Sequence, residues 1–222
     1  MVTSHKQWLD NEYNLWIQAL QECTPLNFKE NWMVKRMLSI GMGFPLYVTE
    51  GLPVPIVDLL IKIDNIGYKE NIPLISGDCS RMIYYARQIL EKNPPSIVEI
   101  GGGVGQFYAV LRALGYRGKY CIIDLSAVEH FQQLYLNEVS KQTGLIFPME
   151  LRFDFCVSFY ALGEFDDETK NWYIEKIVSR CPHGFIIWNP HSGASADINF
   201  PFRHVVKDEY PLLAEGNKQI EW

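Results

Sequence analysis

"VEIGGGVGQ", residues 98–106, places four glycines within five positions, directly after an apolar run and an acid. Glycine beside a strand end permits a tight turn and lets the backbone approach a ligand closely. The helix that follows such a turn presents its N-terminus, which attracts negative charge. The stretch therefore predicts a nucleotide or nucleoside site where a strand meets a helix.

The glycine spacing does not match the dinucleotide-binding fingerprint G-x-G-x-x-G/A. Counted from Gly101 the sixth position is Gln106, and counted from Gly103 it is Tyr108. A carboxylate after the second strand can accept hydrogen bonds from both hydroxyls of a ribose. The pattern that is present is acid-x-G-x-G-x-G with a second acid about twenty residues later: Glu99, Gly101, Gly103, Gly105 and Asp124. The alternative is a glycine-rich turn in an unrelated α/β protein.

From residue 96 onward, strands and helices alternate along the chain. This alternation predicts a parallel sheet covered by helices. The predicted strands are SIVEI (96–100), YCIIDL (120–125), FCVSFYAL (155–162) and GFIIWN (184–189), and the helices between them cover 105–115, 127–142 and 167–181. A turn at 215–217 between RHVVKD (203–208) and KQIEW (218–222) predicts a terminal antiparallel pair.

The segment before residue 76 has helical rather than strand periodicity. We predict helices at 4–21, behind a Ser4/Gln7 capping box, at 28–40 and at 55–64, with a further helix starting at Ser80. The sequence is therefore divided into a helical N-terminal extension or cap, 1–75, and an α/β domain, 76–222.

Charge and composition exclude several classes of function. The formal net charge of −6, with no local Lys/Arg block, disfavours nucleic acid as a partner. Five cysteines without a C-x-x-C pair, and histidines without ligand spacing, predict neither a disulfide framework nor a metal centre. Because there is no apolar leader and no apolar run near the ~18 residues of a membrane span, we expect a cytoplasmic protein without a membrane span.

The glycine loop with its two acids resembles that of the class I S-adenosylmethionine-dependent methyltransferases, over roughly residues 76–222. The resemblance implies a Rossmann-like sheet, mostly parallel with an antiparallel terminal strand, and S-adenosyl-L-methionine as cofactor. In that family the loop lies against the methionine part of the cofactor, the first acid supports it, and the second acid holds the ribose. Carried over, the cofactor-binding residues are Glu99, Gly101, Gly102, Gly103, Gly105, Asp124 and Leu125.

The chain departs from the family pattern after the second strand. Only TGLIFPMELRF, residues 143–153, stands where the family usually places a third strand and often a further helix. The adenine pocket is consequently hard to assign. Phe147 and Met149 either contact the adenine or belong to the ordinary core.

The candidates for catalysis follow the third and fourth strands predicted here, since ligands bind at the carboxyl ends of such sheets. Transfer of a methyl group to an alcohol requires removal of the hydroxyl proton. His191 is our first candidate for the base, because imidazole titrates near neutrality. Glu164 either orients the histidine or is itself the base. Alternatively, His191 is a loop residue bonded to backbone and Glu164 a solvated acid; Asp166 and Asp167 are interpreted as helix N-terminal residues.

The segment SGDCSRMIYYAR, 76–87, precedes the first strand by one helix. In the family this segment often folds over the cofactor and contributes to the acceptor pocket. We therefore assign Asp78 as a further catalytic candidate, with Asp78 or Ser80 as a plain helix cap as the alternative. The predicted substrate-binding residues are Arg81, Tyr84, Tyr160 and Asn189, and Tyr85 is a neighbouring candidate.

Within the family, the chain is most similar to the sugar O-methyltransferases, and the segments that carry this resemblance are EIGGGVGQ, IIDL and FCVSFYALGEF. That resemblance implies transfer to a sugar hydroxyl, for example of a deoxyhexose such as rhamnose in a glycan, by a domain of a larger viral or bacterial glycan-building protein. No metal is expected, because no Asp-Asn pair follows the strand ending at Asn189. Two alternatives remain: a methyltransferase for a small metabolite or protein side chain, and a non-catalytic cofactor-binding module.

Overall fold

The computed structural model describes residues 11–37, 46–72, 74–148, 153–189, 200–210 and 213–222. Its α-helices are α1 Asn11–Glu22, α2 Trp32–Met37, α3 Val54–Asn65, α4 Gly77–Lys92, α5 Gln106–Ala113, α6 Ser126–Thr143, α7 Ala161–Glu164 and α8 Asp167–Lys176. Its strands are β1 Ser96–Ile100, β2 Lys119–Ile123, β3 Phe155–Tyr160, β4 His183–Trp188, β5 Val205–Asp208 and β6 Lys218–Glu221. Short 3₁₀ turns cover Phe28–Glu30, Leu46–Thr49 and Val178–Arg180.

Within these ranges the strands form one six-stranded sheet in the order β2-β1-β3-β4-β6-β5. Strands β1 to β4 are parallel, with Val98 of β1 opposite Cys121 of β2 on one side and Cys156 of β3 on the other. Strand β6 runs antiparallel to both β4 and β5. The predicted mixed Rossmann-like sheet with a terminal antiparallel pair is confirmed. All five residues of β1 are buried, as expected for a central parallel strand covered on both faces.

Two predicted element boundaries are wrong for local reasons. Helix α4 begins at Gly77 rather than Ser80, because the Ser76 side chain accepts a hydrogen bond from the Cys79 N–H at 3.2 Å. Ser76, and neither Asp78 nor Ser80, is therefore the N-cap. Strand β3 ends at Tyr160 rather than at 162, because Tyr160 takes φ +70 and the chain turns into α7.

The predicted helix at 28–40 is divided at Asn31. The Asn31 side chain accepts hydrogen bonds from the N–H groups of Met33 (2.9 Å) and Val34 (3.3 Å), which starts α2 anew. Of the predicted helix at 4–21, the described part is α1, while the Ser4/Gln7 box lies outside the described residues. The predicted helix at 167–181 ends at Lys176 and continues as a 3₁₀ turn.

The N-terminal helices share one apolar core with the sheet. Trp16, Leu20 and Phe28 are buried in the same cluster as residues of α5 and α6. A buried ion pair joins two parts of this N-terminal segment: Lys29 Nζ lies 3.1 Å from Asp64 Oδ1, with both side chains 1% exposed. The position of the predicted boundary at residue 75 stays a prediction. None of the helices in the described ranges is long and apolar enough to cross a membrane.

Candidate functional site

The glycine loop, residues 101–105, leads from the carboxyl end of β1 into α5. Gly101 has φ +72, and a Cβ added there would collide with the Cβ of Ala161. A Cβ on Gly102 would lie 2.6 Å from Ile122 and 2.8 Å from the carboxylate of Glu99. These positions exclude any side chain, so the loop offers bare backbone to whatever lies against it.

Asp124 follows β2 and faces this loop. Its carboxylate accepts hydrogen bonds from the backbone N–H groups of Gly103 at 2.8 Å and Leu125 at 2.7 Å. Burial raises the pKa of Asp124 to about 6, although the two backbone donors oppose the shift. A carboxylate oxygen can accept more than one hydrogen bond, so Asp124 retains capacity for ligand hydroxyls.

Glu99 supports the loop from the sheet side, beneath Gly102. The Tyr120 hydroxyl donates to Glu99 Oε2 at 2.8 Å, and the Tyr120 ring stacks on Tyr108 with 4.0 Å between centroids. Burial raises the pKa of Glu99 to about 8, against the opposing effect of the Tyr120 hydrogen bond. Burial thus favours the neutral form of Glu99, whose side chain fills the space behind the loop.

The loop opens into a cleft at the carboxyl ends of β1 to β3, where open α/β sheets bind their ligands. The structure brings most of the predicted site residues to this cleft. Those that line it are Asp78, Arg81, Glu99, Gly101, Gly102, Gly103, Asp124, Leu125, Tyr160 and Glu164. Cofactor and acceptor candidates thus share one site.

Glu164 lies at the end of α7 and lines the cleft. Burial raises its pKa to about 7, and a hydrogen bond with the Asn189 side chain opposes this rise. Asn189 lies behind Glu164, where its backbone would be 2.7 Å from a Cβ added at Gly163. Asn189 therefore positions Glu164 and is not itself among the cleft-lining residues.

Asp78 and Arg81 face each other on α4. Arg81 Nη2 donates to Asp78 Oδ1 at 2.5 Å, and the guanidinium lies 5.2 Å from the centroid of the Tyr160 ring. Burial raises the pKa of Asp78 to about 6, although Arg81 and Lys29 lower it. Asp78 is thus the partner of a buried cation.

Glu209, which our sequence analysis did not single out, holds two cleft-lining tyrosines, Tyr85 and Tyr160. It is 2% exposed, and its Oε1 accepts hydrogen bonds from the hydroxyls of Tyr160 at 2.5 Å and Tyr85 at 2.8 Å. Asn217 Nδ2 donates to Oε2 at 2.8 Å. Because Glu209 lies 49 residues after Tyr160 in the chain, no local pattern could have revealed the contact.

Other predicted residues lie elsewhere. Tyr84 packs against Tyr85 and Tyr210 and is not among the cleft-lining residues. Phe147 packs edge-on against Tyr108, which favours the core interpretation. Gly105 caps α5 with φ +88. Trp16 of α1 lines the cleft, although the sequence indicated only that it belongs to an apolar helix face. His191 and Met149 lie outside the described residues.

Residues 76–177 match the model of a family described as "Methyltransferase domain". Over this segment the chain is similar to methyltransferase domains. It is a transferase whose methyl donor is S-adenosyl-L-methionine. The residues present fit this cofactor: the side-chain-free loop at Gly101 and Gly102 admits close approach, and Asp124 offers a carboxylate to the ribose diol. The cofactor supplies an electrophilic methyl group on a sulfonium.

Several solved structures resemble the chain. A SAM-dependent methyltransferase from Aquifex aeolicus shares 14% identity over 61% of this chain and 87% of its own, with a TM-score of 0.42. PigF with SAH shares 11% identity over 96% of this chain and 72% of its own, with a TM-score of 0.46. Coclaurine N-methyltransferase bound to N-methylheliamine and SAH shares 14% identity over 82% of this chain and 53% of its own, with a TM-score of 0.41. No curated protein matches the chain in sequence.

Proposed function

We propose that this methyltransferase transfers the methyl group to a hydroxyl of a sugar, such as a deoxyhexose like rhamnose in a glycan. The observation that carries the proposal is the group of polar side chains that line the cleft together with the glycine loop, namely two acids, a guanidinium and a phenol: Asp78, Glu164, Arg81 and Tyr160. A hydroxyl-rich acceptor can exchange hydrogen bonds with each of these groups. The segment FCVSFYALGEF, which resembles the sugar O-methyltransferases, supplies Tyr160 and Glu164 among these side chains.

Glu164 is the base that its place in the cleft lining favours. Its pKa of about 7 lets the carboxylate form exist at neutral pH while it still accepts a proton effectively. Glu164 would take the hydroxyl proton of the acceptor, whose oxygen would receive the methyl group that the bound cofactor would supply. His191 remains the second candidate, because it follows two residues after Asn189, whose side chain bonds Glu164.

Glu164→Gln should lower kcat by roughly 10²- to 10⁴-fold, the usual contribution of a general base. In the unmodified protein kcat should rise with pH through about 7, as the Glu164 carboxyl loses its proton, and the variant should lack this rise. Steady-state rates across pH 5.5–9 measure both effects. Glu175→Gln, at an acid outside the cleft, is the matched control.

The variant His191→Ala separates the two candidates for the base. If Glu164 is the base, His191→Ala should retain the pH dependence and most of the rate. A loss larger than that of Glu164→Gln, with the pH dependence abolished, would assign the base to His191 instead.

The acceptor class is tested by mass spectrometry with S-adenosyl-L-methionine carrying a deuterated methyl group. We expect a labelled methyl ether on a deoxyhexose glycoside within a panel of glycosides, small metabolites and peptides. A transfer RNA serves as the negative control, because the net charge of −6 disfavours nucleic acid. Labelling of a metabolite or peptide without any glycoside would favour the first alternative, and binding without turnover on any acceptor would favour a non-catalytic module.

Catalysis should survive removal of divalent metals. The described part of the chain contains no cluster of three or more His, Cys, Asp or Glu side chains placed to hold a metal ion. After dialysis against EDTA the rate should therefore stay unchanged. Loss of activity that magnesium or manganese restores would contradict this prediction and point to Glu164 with Asn189 as ligands.

A further inference from the structure

Arg81 carries a buried nitrogen without a partner. The residue is 5% exposed, and Nη2 donates to Asp78. Nη1, in contrast, has no hydrogen-bond acceptor anywhere in the described ranges and is shielded from solvent. Buried polar groups in folded proteins are nearly always paired, and an unpaired charged donor is especially costly. Nη1 therefore calls for an acceptor that the described chain does not supply.

The position of Arg81 indicates where that acceptor comes from. Arg81 lines the cleft that contains the glycine loop. Its guanidinium lies over the ring of Tyr160, and the next residue, Ala161, packs directly against Gly101. The unpaired donor thus lies beside the part of the cleft where the loop backbone is exposed to a ligand.

The surrounding charges restrict the chemistry of the ligand. Asp78 already pairs with one side of the guanidinium, so the remaining donor is a charged N–H that is shielded from solvent. Such a donor makes its strongest bonds with an anionic oxygen, and the planar guanidinium suits a carboxylate. We propose that Arg81 binds a ligand carboxylate through Nη1.

Two ligands of this site could supply a carboxylate: the methionine part of the cofactor, or an acceptor that carries an acidic group, such as a uronic acid. Ala161, the residue after Tyr160, packs against Gly101, so Arg81 lies near the side-chain-free loop that admits the cofactor, and this favours the cofactor as the source. The inference rests on the proposed function only in its second arm, where the acceptor is a sugar.

Calorimetry on the unmodified protein tests both arms. In the cofactor arm, S-adenosyl-L-homocysteine should bind about 10- to 100-fold more tightly than its carboxamide, which keeps the amino group and loses only the charge. In the acceptor arm, protein saturated with S-adenosyl-L-homocysteine should bind glucuronate and not glucose. If neither comparison shows a preference for the carboxylate, the proposal is overturned.

Variants then assign the preference to Arg81. Arg81→Gln should abolish the preference for the carboxylate. If this variant does not fold, the double variant Asp78→Asn with Arg81→Gln replaces it, because the double variant leaves no unpaired charge, and it should abolish the preference as well. Arg87→Gln is the matched control: Arg87 lies on the same helix but bonds the carbonyls of Val48 and Glu50, outside the cleft. Discrimination that persists without Arg81 would refute the assignment.

These outcomes are distinguishable from failure of the broader account. If S-adenosyl-L-homocysteine does not bind at all, the function itself is wrong. If it binds as well as its carboxamide, and glucuronate shows no advantage over glucose, only the role of Arg81 is wrong.

Discussion

Replacing Asp124 with alanine should lower the affinity for S-adenosyl-L-homocysteine by about 10²- to 10⁴-fold. Each charge-assisted hydrogen bond to a ribose hydroxyl contributes roughly 1.5–3 kcal/mol, and the diol offers two. The substitution also removes the acceptor of the Gly103 and Leu125 N–H groups, which loosens the loop. Isothermal titration calorimetry measures the loss directly.

Asp166→Ala is the matched control for this experiment. Asp166 caps α8 through the Thr169 N–H at 2.8 Å and does not line the cleft. Its loss should cost about 1 kcal/mol of stability, as is usual for an N-cap, while leaving the affinity intact. An Asp124→Ala protein that binds the ligand as tightly as the control would refute the ribose contact.

Lys29→Met should lower the free energy of unfolding by about 3–5 kcal/mol, the usual cost of removing one partner of a buried ion pair. The substitution leaves the Asp64 carboxylate buried without its cation, although Ser76 still donates to it through its N–H at 2.6 Å. Because Asp64 joins the N-terminal helices to the start of α4, the loss should destabilise the folded chain as a whole. Urea unfolding monitored by fluorescence measures the change.

Lys218→Met is the matched control for the buried pair. Lys218 pairs with Asp208 at the surface, where the two side chains are 38% and 83% exposed. Exposed pairs contribute at most about 1 kcal/mol. If both variants unfold at the same urea concentration, Lys29 and Asp64 do not hold the N-terminal helices as we describe.

The glycine loop and the strands around it could be predicted because their causes are local. A buried strand can be predicted from its own run of apolar residues. Gly101 and Gly102 lie at positions where a side chain would collide with neighbouring atoms. The terminal β5–β6 pair could also be predicted, because the turn at 215–217 lies between its two strands.

Features that depend on one side chain or on distant contacts could not be predicted. The break at Asn31 arises from its own side chain bonding two backbone N–H groups, and asparagine also occurs inside helices. The end of β3 depends on a positive φ at Tyr160, a conformation that tyrosine rarely adopts. Glu209 and Trp16 join the cleft region only through tertiary packing, so the sequence pattern assigned neither of them a role.

The central claim is that this cleft binds S-adenosyl-L-methionine rather than a dinucleotide, and one calorimetric experiment tests it most directly. Purified protein is titrated with S-adenosyl-L-homocysteine and, separately, with NADH. Our account predicts saturable one-to-one binding of S-adenosyl-L-homocysteine and no detectable heat from NADH. Tight binding of NADH, or no binding of S-adenosyl-L-homocysteine, would contradict it.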